Sequence, residues 1–66
     1  MYKVTAINGN EELIFNHALE HDAKHNAIDL AYEGYKTFVY FGDKHLGYRK
    51  LYRSEQIGNC FAVLEV

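Results

Sequence analysis

His17, His21 and His25 recur every four residues, with Glu20 and Asp22 close by. Residues four apart on a helix sit one above the other, and an i,i+4 histidine pair is a workable spacing for a divalent metal ion. A third ligand a further turn along is geometrically awkward, and the stretch lacks the glutamate directly after the first histidine that a zinc-protease helix uses. If the segment is strand followed by helix, the three rings separate and no site remains. A solvated polar edge explains the same residues, as does a pH-sensitive surface, since histidine titrates near neutrality. The fourth histidine, His45, reads as a turn residue.

The second constellation is basic and aromatic: Lys44, Arg49, Lys50 and Arg53, with Tyr48 and Tyr52 interleaved. In a regular strand Tyr48, Lys50 and Tyr52 face one way. Rings and ammonium groups on one face can stack bases and touch phosphates, as single-strand-binding sheets do. No RNA-binding signature accompanies them and the net charge is −2, so nucleic acid is not the favoured partner. Tyrosine and arginine are also enriched where proteins meet, and cationic side chains protect an edge strand. Tyr48, Arg49, Lys50, Tyr52 and Arg53 are therefore the candidate partner-binding residues, for another protein or for a second copy of the chain.

The remaining polar groups suggest no catalysis. Cys60 is the only cysteine, so no disulfide closes within the chain. Its apolar neighbours read as those of a buried thiol with no histidine–acid pair placed to activate it. Asn8-Gly9-Asn10 has one glycine and is no phosphate loop. Glu11-Glu12 has no second carboxylate set against it for general acid/base work. A chain of 66 residues has little room for a pocket of roughly 300 Å³. The expectation is a non-enzyme with no cofactor.

The elements that position these groups follow from periodicity. Tyr2 to Ile7 alternates: Tyr2, Val4 and Ala6 share one face and Lys3, Thr5 and Ile7 the other. Asn8-Gly9 is a strong hairpin signal, and a two-residue turn there sets Val4 opposite Leu13 and Tyr2 opposite Phe15. Alternation through Leu13, Phe15, His17 and Leu19 favours a strand to about Leu19, with Asp22 capping the helix. The competing reading starts the helix at Asn16 as N-cap, with Leu19, Ala23, Ala27 and Leu30 as its stripe. From Ala23 onward both agree on a helix with Ala23, Ala27, Leu30 and Ala31 inward, stopped by Gly34. Thr37 to Phe41 is a dense strand ended by Gly42-Asp43, and Leu46 to Arg53 is its partner. Ser54 to Asn59 reads as a connection. Cys60 to Val66 is a last strand, apolar on both faces and so expected to be central or covered on both sides. The fold class is α+β: an antiparallel or mixed sheet of four or five strands, order β-β-α-β-β-β, with one helix on one face, in a single domain over 1–66.

A short helix covers only one face of such a sheet. Either Phe38 and Tyr40 or Val39 and Phe41 must point away from it, and so must one set of the last strand. Curling, self-association or a partner protein would cover them. Charge is uneven along the chain: residues 1–33 carry two basic and six acidic side chains, residues 34–66 five and three. No signal-peptide pattern and no apolar run near 20 residues is present, which with the lone cysteine makes the cytoplasm the expected compartment. Small size, absence of proline and abundance of tyrosine, lysine and asparagine resemble small accessory proteins of bacteriophages and mobile elements. Some of these inhibit host enzymes through a compact strand-rich surface. The resemblance implies a small inhibitor or regulator, non-catalytic and protein-binding.

Overall fold

A computed structural model describes all of residues 1–66. It contains β1 (Tyr2–Asn8), β2 (Glu11–His17), α1 (Glu20–Tyr32), β3 (Lys36–Asp43), β4 (Gly47–Ile57) and β5 (Cys60–Glu65). The strands form one sheet in the order β2-β1-β3-β4-β5, and every neighbouring pair is antiparallel. The order β-β-α-β-β-β is the one the periodicity implies, and the choice between antiparallel and mixed resolves to antiparallel. Because β2 and β3 both oppose β1, the helix between them carries the chain across β1 on one side of the sheet.

The first hairpin differs from expectation by a slide of two residues. Asn8 pairs with Glu11, Val4 with Phe15 and Tyr2 with His17, so the turn is Gly9-Asn10. Gly9 has φ 61 and no non-glycine residue has positive φ, the glycine-first arrangement of a type II′ turn. This register keeps all of β1 paired out to His17. The Asn8-Gly9 turn would have exhausted β1 at Asn16. A slide of two preserves parity, so Tyr2, Val4, Leu13 and Phe15 stay on one face.

β2 ends at His17 and α1 begins at Glu20, so the strand-then-helix reading describes the segment and the Asn16 start does not. Asp22 is not the cap. Leu19 holds that position with extended backbone and no side-chain cap bond, while Glu20 and Asp22 lie in the first turn, where their charge suits the positive helix end. At the other end Gly34, with φ 101, donates its N–H to the Ala31 carbonyl at 3.1 Å, and Tyr35 donates to Leu30 at 3.1 Å. These are the two bonds of a Schellman stop.

The helix seats Ala23, Ala27, Leu30 and Ala31 on the inner strands. Val4, Ala6, Ala23 and Val39 are fully shielded, with Thr37 beside them. Thr37 Oγ1 donates to the Ala27 carbonyl at 3.1 Å, which satisfies the one buried hydroxyl in the helix–sheet joint. Inward-facing alanines leave room for a close approach, and Tyr2, Leu13, Tyr35, Tyr52 and Val63 close the margins of the core.

The C-terminal half corrects three expectations. β4 continues through Ser54 to Ile57 instead of stopping at Arg53. Its pairing with β3 does stop at Arg53, where Ser54 Oγ takes the Thr37 N–H at 3.0 Å. Beyond that point β4 pairs with β5 alone, closed at Ile57–Cys60 by a second glycine-first turn, Gly58-Asn59. β5 is an edge strand, not a central one: Phe61 and Val63 turn to the helix side, and Tyr32 meets Phe61 edge-on at 5.1 Å. Cys60 is exposed, not buried. In the β3–β4 turn Asp43 Oδ1 accepts the N–H of His45 and of Leu46, at 2.8 and 2.6 Å, which leaves His45 a turn residue.

Gly42 and Gly47 flank that turn with φ of 152 and 86. A Cβ at Gly42 would collide with the Gly47 carbonyl oxygen and stand 2.9 Å from Tyr48 Cα, whereas a Cβ at Gly47 meets nothing within 4 Å. Gly47→Ala is therefore expected to cost backbone strain alone, roughly 1–2 kcal/mol. Gly42→Ala should cost clearly more in a urea unfolding series. Equal losses would show that the β3–β4 approach is not tight.

Candidate sheet-face binding site

The strand registers assemble a site from three strands, β1, β3 and β4. Lys3 pairs with Tyr40 and Thr5 with Phe38; Phe38 pairs with Arg53, Tyr40 with Lys50 and Gly42 with Tyr48. Cross-strand partners share a face, so all these residues lie on the side of the sheet that α1 does not cover. Phe38 and Tyr40 are thus the pair that points outward, and Val39 and Phe41 face the helix side. On β5 the outward set is Cys60, Ala62 and Leu64.

The cations of this face lie against its rings. Lys3 Nζ sits 4.0 Å from the centroid of Tyr48 and 5.1 Å from that of Tyr40. Lys50 Nζ sits 4.2 Å from Phe38 and 5.8 Å from Tyr40; Lys36 Nζ is 5.9 Å from Phe38. Each ammonium is within the range where the ring quadrupole attracts it, and each lysine stem covers part of a ring that would otherwise be bare. Arg53 forms a 3.2 Å pair with Glu55 at the margin. α1, on the opposite side, carries Glu20, Asp22 and Asp29 against Lys24, with Glu33 as its C-cap. The open face carries Lys3, Lys36, Lys50 and Arg53 against Glu12 and Glu55, so it is net positive where the helix is net negative.

The five candidate residues do not stay together. Tyr48, Lys50 and Arg53 join the open face, while Arg49 and Tyr52 turn to the helix side. The cause is a bulge: Val39 pairs with Tyr52 but Tyr40 with Lys50, which leaves Leu51 as the extra residue and resets the alternation. The expected sharing of a face by Tyr48, Lys50 and Tyr52 is therefore incorrect. Tyr52 instead donates to Glu20 Oε1 at 2.9 Å, and Lys24 Nζ lies 4.5 Å from its ring. Lys3, Lys36, Phe38 and Tyr40 are members of the face that were not among the five. Parity in β1 had already set Lys3 on the side away from Tyr2 and Val4, and only the strand order shows that Tyr48 lies beside it.

The histidines do not make one ligand set. His17, on β2, shares a 2.9 Å hydrogen bond between Nε2 and Asn26 Oδ1 that ties the strand end to the helix. His21 and His25 lie against each other on the helix with ring centroids 4.5 Å apart. No group of three or more histidine, cysteine or acidic side chains is placed to hold a metal ion. Concave space is larger than chain length suggested. One groove of about 400 Å³ runs past Tyr35, Lys36, Glu55 and Phe61, and another of about 380 Å³ past His21, Lys24 and His25. Most residues lining both are polar or charged, but the surface they expose is mainly carbon.

Comparison with protein-family models, with curated proteins and with solved structures finds no match to this chain.

Two tyrosines on the helix side have phenol pKa values raised above the ordinary 10.0. The hydrogen bond to Glu20 is the main cause for Tyr52 and the bond to Glu11 for Tyr35, with burial and the carboxylate charge adding. Raised folded-state values mean these bonds contribute stability in full below pH 10, and the contribution is lost as pH climbs through the folded values. A tyrosinate absorbance titration should show Tyr35 and Tyr52 ionising above the ordinary phenol range, and Glu20→Ala should lower the Tyr52 value toward it. A titration curve that Glu20→Ala and Glu11→Ala both leave unmoved would refute the bonds.

Proposed function

We propose that this chain is a non-catalytic protein-binding module that docks an acidic patch of its partner on the open sheet face. The observation that carries this reading is the placement of Lys3 and Lys50 within about 4 Å of Tyr48 and Phe38, on a face that no other element covers. Aromatic rings supply large contact area with few rotors to freeze. The lysines favour carboxylate-bearing partners and speed their approach. Tyr40, flanked by both lysines, occupies the centre, where binding energy concentrates. Residues at the margin, including the Arg53–Glu55 pair, keep water out and set register. The acidic helix on the reverse side repels an acidic partner from the wrong approach.

The phage-like composition extends the proposal to a small inhibitor or regulator of a host protein. A single cysteine fits action in the reducing cytoplasm, and no helix is long and apolar enough to cross a membrane. The test is partner capture from host lysate by wild type and by a Lys3→Ala, Tyr48→Ala, Lys50→Ala variant that keeps its circular dichroism. Retention of the captured protein should fall at least about tenfold, the equivalent of 1.4 kcal/mol. Undiminished retention removes the face from consideration.

A second reading, binding of single-stranded nucleic acid, draws on the same alternation of rings and ammonium groups, which suits bases and phosphates. Titration with an oligothymidylate checks it. Four cations on the face (Lys3, Lys36, Lys50 and Arg53) would give a log–log salt slope of about −3. No binding at low salt ends that reading.

A further inference from the structure

Both sheet edges, β2 and β5, lack a neighbouring strand, but their chemistry differs. β2 carries Glu11, Glu12 and His17 in seven residues, whereas β5 carries one charge, Glu65, in six and has no proline. Charges, prolines and bulges are the means by which edge strands avoid pairing with other chains, and β5 has almost none of them.

Its backbone is also poised for a mate. Cys60 closes the hairpin against Ile57 and the Val66 N–H reaches the Leu51 carbonyl at 3.1 Å. Even-numbered residues therefore bond inward to β4, and Phe61, Val63 and Glu65 present their N–H and C=O groups outward. One outward donor has found an acceptor: the Phe61 N–H donates to Tyr32 Oη at 3.2 Å.

We infer that β5 pairs antiparallel with β5 of a second copy, about a two-fold axis at Val63, to make one continuous ten-stranded sheet. This register sets Val63 opposite Val63, and Phe61 opposite Glu65, so no like charges meet, and on pairing the Tyr32 hydroxyl gives up the Phe61 N–H to the Glu65 carbonyl of the second copy. On the open-face side it sets Ala62 opposite Leu64 and Cys60 opposite Val66. The join thus gains an apolar strip of eight side chains, including Val66, which is 69 % exposed in the single chain. Pairing of like edges closes after two copies, whereas β2 on β5 would continue into a filament. The two cationic aromatic faces then lie on the same side of one sheet. The inference stands apart from what docks on that face.

Sedimentation equilibrium should give twice the 7.7 kDa chain mass at high micromolar concentration. Amide exchange at Val63 and Glu65 should slow at least tenfold between dilute and concentrated samples. Ala62→Lys places two ammonium groups beside the axis and should return the monomer mass with fast exchange at both amides. A monomer at every concentration overturns the inference. So does a dimer whose Val63 and Glu65 amides exchange freely, which would locate the contact elsewhere.

Discussion

Everything in this small protein rests on how closely one helix lies on two strands. Ala23, Ala27 and Ala31 bring α1 down onto Val4, Ala6, Thr37 and Val39, all of them nearly or fully shielded from solvent. Small side chains bury modest area each, so stability depends on the absence of gaps more than on the bulk of any residue. The Thr37 hydroxyl is tolerable in that layer only because the Ala27 carbonyl accepts its proton. The larger aromatic residues are consequently not the centre of the core. They stand at its margins or on the other side of the sheet, where they are free for other work.

This division of labour explains why composition alone misleads. Ten aromatic side chains in 66 residues suggest a core built from rings. The core is instead aliphatic and small, and three of the rings, Phe38, Tyr40 and Tyr48, lie on the open face with lysine ammonium groups against them. An exposed ring with an ammonium group against it keeps its flat contact surface while the charge maintains solubility. The same pairing allows a −2 protein to present a locally positive face.

What was legible in the sequence divides along physical lines. Parity and periodicity were legible: the faces of β1, the inward stripe of α1 and the stop at Gly34 all follow from residue spacing. Register was less so, because Asn8-Gly9-Asn10 contains both an Asn-Gly and a Gly-Asn turn. The choice between them depends on how much of β1 stays paired, a sum over the hairpin that no local signal contains. The position of β5 was not legible, since an apolar strand at an edge and one at the centre read alike until the neighbours are known. Nor was the gathering of the open face, because Lys3, Phe38, Tyr40 and Tyr48 come together only through the strand order. The regular alternation assumed for residues 48–52 failed for a subtler reason: one unpaired residue does not announce itself in a run where basic and aromatic side chains already alternate.

That residue, Leu51, is a seam in the chain. On either side of it the facing of β4 is locked by its partners, Lys50 by Tyr40 and Tyr52 by Val39. Taking Leu51 out would bring two residues that already point in opposite directions into direct succession, as an unbroken strand requires. Elsewhere in β4 a change of one residue would turn every following side chain inside out. Removing Leu51 would therefore keep the facing of β4 on both sides, and its cost would fall on the β5 side, where the Leu51 carbonyl takes the Val66 N–H.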